Sequence, residues 1–244
     1  MSVPLWVAET AESFWITAGE PEPFPRNLRR AIARSLPLTI VLLPQLSIRA
    51  AEAWLQQESA HINVDVENRP LRACLISRFG HGLIFVDGED SEHEQRFSIA
   101  HELAHFLRDY LLPRQRAIQR LGAGVLEVFD GVRPSLPDER IMGLLARVPV
   151  DVHVHLMDRQ ELRGASLAIE TAEGNADRLA FELLAPWETV CQEMQELRCA
   201  QDRQAILTHL TMRYGLPPRP AVRYAHLLIP QRPTPSPLLD LLHH

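Results

Sequence analysis

From Ser91 to Leu112 the chain runs without a proline or glycine, and the middle of that stretch reads His101-Glu102-Leu103-Ala104-His105. Such a run predicts a helix, and Ser91 with Glu94 three residues later has the form of a capping box at its start. On a helix the side chains at i and i+4 stand one above the other on the same face. His101 and His105 are therefore spaced to hold one zinc ion, with Glu102 beside the metal's open position as candidate general base. Phe97, Ala100, Ala104, Phe106 and Leu107 give this helix enough apolar surface to lie in a core.

The residues before it predict strands. Ala73–Arg78 and Gly82–Val86 flank the turn Phe79-Gly80-His81, and Asp87-Gly88 closes the second. Leu38–Leu42 reads as a buried strand between Pro37 and Pro44, followed by a helix capped by Ser47. Shorter helical patterns surround Ala11–Ala18 and Arg26–Arg34, and the Pro-rich stretch at Pro21, Pro23 and Pro25 separates them. The expected fold class is α+β, with a small antiparallel-rich sheet against the H-E-x-x-H helix and additional C-terminal helices.

Composition narrows the classes of function. The 244 residues are 46% hydrophobic, enough for a sizeable core. The formal charge of −6 argues against a global nucleic-acid-binding surface. All 25 basic residues are arginine, so arginine clusters carry little weight as a signal. Cys74, Cys191 and Cys199 are odd in number and widely spaced, which points to reduced thiols. The N-terminus carries Glu9 and Glu12 and no early basic residue, unlike a secretory signal. The apolar run Leu36–Leu46 is interrupted by prolines and too short to span a bilayer. A soluble cytoplasmic protein with no membrane partner is expected; oligomeric state is left open.

Residues 113–165 are punctuated by Pro113, Gly122, Gly124, Gly131, Pro134 and Pro137, with one strand candidate at Val148–His155. His153 and His155 share a strand face there and are read as surface residues in preference to ligands. From Ala165 a helical pattern returns, Pro186 ends it and opens the next helix, and Ala205–Tyr214 and Ala221–Leu228 form a last pair around Gly215. The expected organisation is a catalytic domain over 1–200 with an insertion at 113–165 outside its core, a helical pair over 201–229, and a mobile Pro-rich tail over 230–244.

A catalytic zinc needs a third protein ligand and one open position. Glu173 and Asp177 stand at i and i+4 on one predicted helix face. Glu173 can bind the metal, and Asp177 can accept the outer N–H of a zinc-bound histidine and fix its tautomer. A solvated acidic face has the same spacing, so the pattern leaves both readings open.

Together, RFSIAHELAHFL, the preceding GLIFVD and the downstream EGNADRLAFELLAP resemble the ImmA/IrrE family of metallopeptidases. Residues 173–186 match every position of that family's E-x-x-A-(N or D)-x-x-A-x-x-L-L-x-P signature. The likeness covers roughly Leu38–Asp109 and Glu170–Leu197. It implies a gluzincin-like fold with Zn2+ on His101, His105 and Glu173, Glu102 as base and Asp177 as partner of a ligating histidine. It also implies a bacterial protein that cleaves helix-turn-helix repressors and so releases stress-response genes. Three departures stand out: residues 106–172 form a longer connection than usual, no N-terminal helix-turn-helix domain is recognisable, and Leu179 replaces a more usual aromatic.

The expected reaction is hydrolysis of a peptide bond, with zinc activating water and Glu102 moving its proton. Tyr110, His153, His155 and Arg178 are open candidates for the oxyanion donor. Gly82–Val86 is the expected sheet edge for an extended substrate. The rival reading is a non-hydrolytic zinc-peptidase-like module that binds a regulator or DNA, suggested by Arg203, Arg213, Arg219 and Arg223 on the last helical pair. The intact Glu102 favours the enzyme, since a pure scaffold has no use for a base. A hydrolase of small amides would require a closed pocket.

Overall fold

A computed structural model describes residues 3–19, 23–58, 67–134, 152–159 and 166–229. The expected tail at 230–244 and part of the expected strand, 148–151, lie outside the described residues. Two helices, α1 (Leu5–Ala18) and α2 (Leu28–Ser35), precede β1 (Leu38–Leu43) and α3 (Ile48–Gln57). Then come β2 (Leu71–Arg78), β3 (His81–Asp87) and α4 (Glu92–His105). The hairpin between β2 and β3 turns on Phe79 (φ 54°) and Gly80 (φ 81°). Two positive φ values match the hand of a two-residue turn to the twist of its strands.

The sheet is mixed and runs β1-β3-β2-β4, with β4 formed by His153–Asp158. β1 pairs parallel with β3, and the other pairings are antiparallel. This corrects the expected substrate edge: Gly82–Val86 is interior, because β1 covers the side of β3 that the hairpin leaves free. Among the described residues the edges are β1 and β4.

Both faces of the sheet are covered. Ala73, Leu75, Ile84 and Val86 join the core that contains α4, whereas Cys74, Ile76 and Phe85 join a second core with Ala51 and Leu55 of α3. The two-residue alternation thus buries opposite faces, and the central strands read as nearly continuous apolar runs.

Ser91 caps α4 by accepting the Glu94 N–H at 3.3 Å. The Glu94 carboxylate does not complete a capping box but pairs with Arg72 at 3.0 Å. The residues from Phe97 to Leu107 are all buried, between the sheet and a later helix. A helix this enclosed has no polar face to give an amphipathic pattern. A β-carbon at Gly82 would lie 2.5 Å from Leu38 Cδ1 and 2.9 Å from the Phe106 ring. Phe106, next to the second histidine, therefore seats against the sheet because position 82 lacks a side chain.

α4 does not stop at His105. A π-helical turn, Phe106–Leu111, leads into α5 (Leu112–Leu121), with the Leu112 N–H bonded five residues back to Leu107. Pro113 lies in the first turn of α5, where its missing N–H is tolerated. A short turn, α6 (Leu126–Phe129), follows and is tied back by Arg114–Asp130 at 2.8 Å.

Four helices complete the fold: α7 (Leu167–Leu184), α8 (Trp187–Glu196), α9 (Arg203–Tyr214) and α10 (Pro218–Leu228). Leu179, at the position noted for an aromatic, is buried with Ala176, Ala180 and Leu183 in the core that holds α4. The helical pair expected as a separate unit shares that core through Ile206, Leu210, Tyr214 and Tyr224, and the Tyr224 hydroxyl donates to the Ala185 carbonyl at 2.8 Å. Gly215 ends α9 in the left-handed region (φ 66°), where a β-carbon would also strike Arg96. The segment 113–165 is not wholly outside the core either. Its strand β4 completes the sheet, with Leu75 opposite His155 and Ser77 opposite His153.

Buried Asp87 ties the end of β3 to β4. It accepts the Leu46 N–H at 3.2 Å and the Glu89 N–H at 3.0 Å, and it pairs with Arg159. Burial disfavours its charge, but these donors outweigh that and hold its pKa below the usual carboxylate range. The stabilisation is thus present above the unfolded value of about 3.9 and is lost as pH falls through the lower folded value. Asp87→Asn should cost about 1–3 kcal/mol at pH 7. In urea unfolding the gap to wild type should narrow at pH 3; an equal gap at both pH values would remove the charge from the explanation.

Candidate metal centre

Three elements converge where α4 passes between β4 and α7. Helical spacing puts His101 and His105 on one face of α4, and their Nε2 atoms lie 3.2 Å apart. α7 brings Glu173 over them, with Oε2 at 3.2 Å from His101 Nε2 and Oε1 at 3.5 Å from His105 Nε2. From β4, His155 Nε2 lies 2.9 Å from Glu173 Oε1, and its ring stacks on His105 with centroids 3.6 Å apart. One ligand atom from each of these four residues falls within 4.8 Å of every other.

The far nitrogens are held as consistently as the near ones. His101 Nδ1 meets Asp177 Oδ1 at 3.1 Å, and His105 Nδ1 meets Asp109 Oδ2 at 2.7 Å. A carboxylate only accepts, so these contacts place a hydrogen on each Nδ1 and direct the Nε2 lone pairs inward. Asp109 is in turn fixed by Arg108 Nε at 2.7 Å, and Arg108 Nη1 donates to the Ala172 carbonyl on α7 at 2.7 Å. Asp177 is held on its other oxygen by Arg223 at 2.8 Å.

These residues fit a zinc ion. Zinc bonds of about 2.0–2.2 Å put neighbouring tetrahedral ligand atoms about 3.3–3.6 Å apart, close to the separations among His101, His105 and Glu173. Glu102 is fully buried, and its Oε1 has no hydrogen-bond partner. An orphaned buried carboxylate oxygen is costly unless a polar group meets it, and water at a metal would do so.

Charge points the same way. Burial disfavours the His101 cation, yet Asp177 and Glu173 hold its pKa raised to about 9. Burial also opposes the charge on His155, and Glu102 and Glu173 override it to about 10. His105 is lowered to about 4 by burial, reinforced by the two neighbouring histidines and only partly countered by Asp109. Burial would raise the Glu173 carboxyl, but the His101 and His155 contacts hold it well below the usual carboxylate range. The surrounding carboxylates thus favour positive charge at the cluster.

A cleft of about 830 Å³ opens over the cluster, lined by β4, by Ile169, Glu170 and Gly174 of α7, and by Arg223. The expected site residues His101, Glu102, His105, Glu173 and Asp177 are all brought together. Of the oxyanion candidates, His155 joins them and His153 lines the same cleft, whereas Tyr110 and Arg178 are engaged elsewhere. The Tyr110 hydroxyl is occupied by the Gly80 N–H at 2.7 Å, and Arg178 lines a separate cavity beside Trp187. His153 lies on β4 with its ring near Tyr110 and is outside the four-residue group.

The reading of His155 as a surface residue is corrected, because sheet pairing turns its side chain into the site. Asp109 was overlooked, although its position four residues after His105 was a visible signal. Arg223, read with the basic residues of a DNA-binding pair, is committed to Asp177. Arg213 packs against the Phe24 ring at 5.3 Å and pairs with Glu193 at 3.5 Å.

Residues 60–123 match the model of a peptidase family, M78, described as the IrrE N-terminal-like domain. Over this segment the chain is similar to the ImmA/IrrE family. The match spans β2, β3, α4, the π-helical turn and α5, and so includes His101, Glu102, His105 and Asp109. It ends before Glu173 and His155, so those enter the site on geometry and on the 173–186 signature. The likeness supports a metallopeptidase-type function. No curated protein and no solved structure matched. Among the described residues no helix is long and apolar enough to cross a membrane.

Proposed function

We propose that the chain is a zinc-dependent endopeptidase that cleaves a protein substrate, with Glu102 as general base. The observation that carries this reading is the unpartnered Glu102 Oε1, buried beside inward-facing histidine nitrogens. Zinc on His101, His105 and Glu173 would supply Lewis acidity and lower the pKa of a water toward about 7. Glu102 Oε1 takes the water proton and passes it to the leaving amine. Asp177 and Asp109 keep both α4 histidines oriented, and Arg223 keeps Asp177 in place.

The cleft favours an extended chain over a small amide, since one wall is a strand at the sheet edge. A peptide added alongside β4 gains main-chain hydrogen bonds with little demand on its sequence. Selectivity then depends on contacts beyond the metal. A helix-turn-helix transcriptional repressor is the favoured substrate, on the family resemblance, which makes the protein a cytoplasmic regulator of bacterial stress-response transcription. Co-expression with a helix-turn-helix repressor of the same genome should yield two fragments that vanish in the presence of a chelator. Intact repressor at full zinc occupancy would count against this substrate class.

A further inference from the structure

The proposed peptidase needs an open position on its metal, and a fourth candidate ligand lies beside that position. His155 repeats the arrangement of the two α4 histidines. Its Nδ1 meets a carboxylate, Glu102 Oε2, at 2.9 Å, and its Nε2 points to the place where His101, His105 and Glu173 converge. Each of the three imidazoles therefore has its outer nitrogen on an acceptor and its inner nitrogen in the shared cluster with Glu173. Ligating histidines are held in this way. Three histidines and a carboxylate complete a tetrahedron, the mark of a closed site; catalytic sites keep three protein ligands.

We infer that His155 is a fourth metal ligand, so that the folded chain is latent and hydrolysis requires His155 to withdraw. The inference rests on the zinc-peptidase reading and adds a restraint to it. His155 restrains the base as well, because its Nδ1–H occupies the second oxygen of Glu102. The residue is also suitably placed to leave. β4 is an edge strand, paired only to β2 among the described residues, and all its residues are half-buried. The chain that would add to β4 lies against the strand carrying the blocking ligand, so binding at this edge and release of His155 are mechanically coupled. A substrate that reshapes β4 would then open the site to itself, and one that does not would find the metal saturated.

Cobalt(II) substitution of the full-length chain tests this without any substrate. Wild type should bind one cobalt, show the intense visible bands of a four-coordinate ion, and keep that spectrum in millimolar acetohydroxamate. His155→Ala should lose several-fold in band intensity, respond to acetohydroxamate, and bind zinc at least about 10-fold more weakly in chelator competition. His155→Gln, close in size and still able to hydrogen-bond Glu102, should give the same response if the alanine variant folds poorly. A wild-type spectrum that acetohydroxamate changes, or variants that keep wild-type bands and affinity, would overturn the fourth-ligand assignment and leave the peptidase standing. Failure of wild type to take up stoichiometric metal would overturn the zinc reading itself.

Discussion

Glu102→Gln is expected to retain zinc and fold while lowering peptide cleavage by at least about 10²-fold, the scale of a lost general base. Glu102 is buried without exposure to solvent, one oxygen accepts from His155 and the other has no partner. Glutamine keeps the volume, and its carbonyl can still accept from His155 Nδ1, so the packing of α4 against the sheet is preserved. What disappears is a group able to take a proton at the Oε1 position. Cleavage of a co-expressed helix-turn-helix regulator, with transcription from its target promoter followed in parallel, gives the readout. Loss of both signals at unchanged zinc content supports hydrolysis. Derepression that persists with the regulator intact would favour a binding module and end the hydrolytic reading.

Glu173→Gln is expected to weaken zinc binding by more than about 10²-fold, because even groups that only orient a ligand are worth about 10–100-fold. The carboxylate is the anionic member of the cluster that faces His101, His105 and His155 together. An amide in its place offers a weaker oxygen and a donor N–H against ligands that should carry lone pairs. The same change removes the negative charge that faces His101 and His155. Elemental analysis after dialysis against a weak chelator reads the effect, with circular dichroism to establish that α7 is intact. Wild-type zinc content in this variant would move the carboxylate ligand elsewhere, with Glu170 on the same cleft wall next to be tested.

Both effects follow from residues that local sequence places well. His101 and His105 fall on one face because a helix repeats every 3.6 residues, and α4 is a helix because nothing breaks it and Ser91 starts it. The same geometry puts Glu173 and Asp177 one turn apart on α7. The hairpin of β2 and β3 was legible in its apolar runs and its Phe79-Gly80 turn. These are short-range properties, decided within a few residues and insensitive to the rest of the chain.

Tertiary structure decided what meets them. β1 pairs parallel with β3 across the intervening α3 and β2, which makes the expected substrate edge an interior strand. β4 arrives from a stretch rich in prolines and glycines and pairs with β2, and this pairing turns His155 toward the α4 histidines. An isolated His-x-His on a half-polar strand has no period that tells a surface face from a buried one; the partner strand makes that choice. Tyr110 and Arg178 looked available until packing gave each another position. Helical spacing by itself therefore put His101 and His105 on one face of α4 and Glu173 one turn before Asp177 on α7; that α7 lies over α4 is a tertiary result. In the proposed centre, an open or a closed metal would turn on His155, which only the pairing of β4 with β2 brings to the cluster.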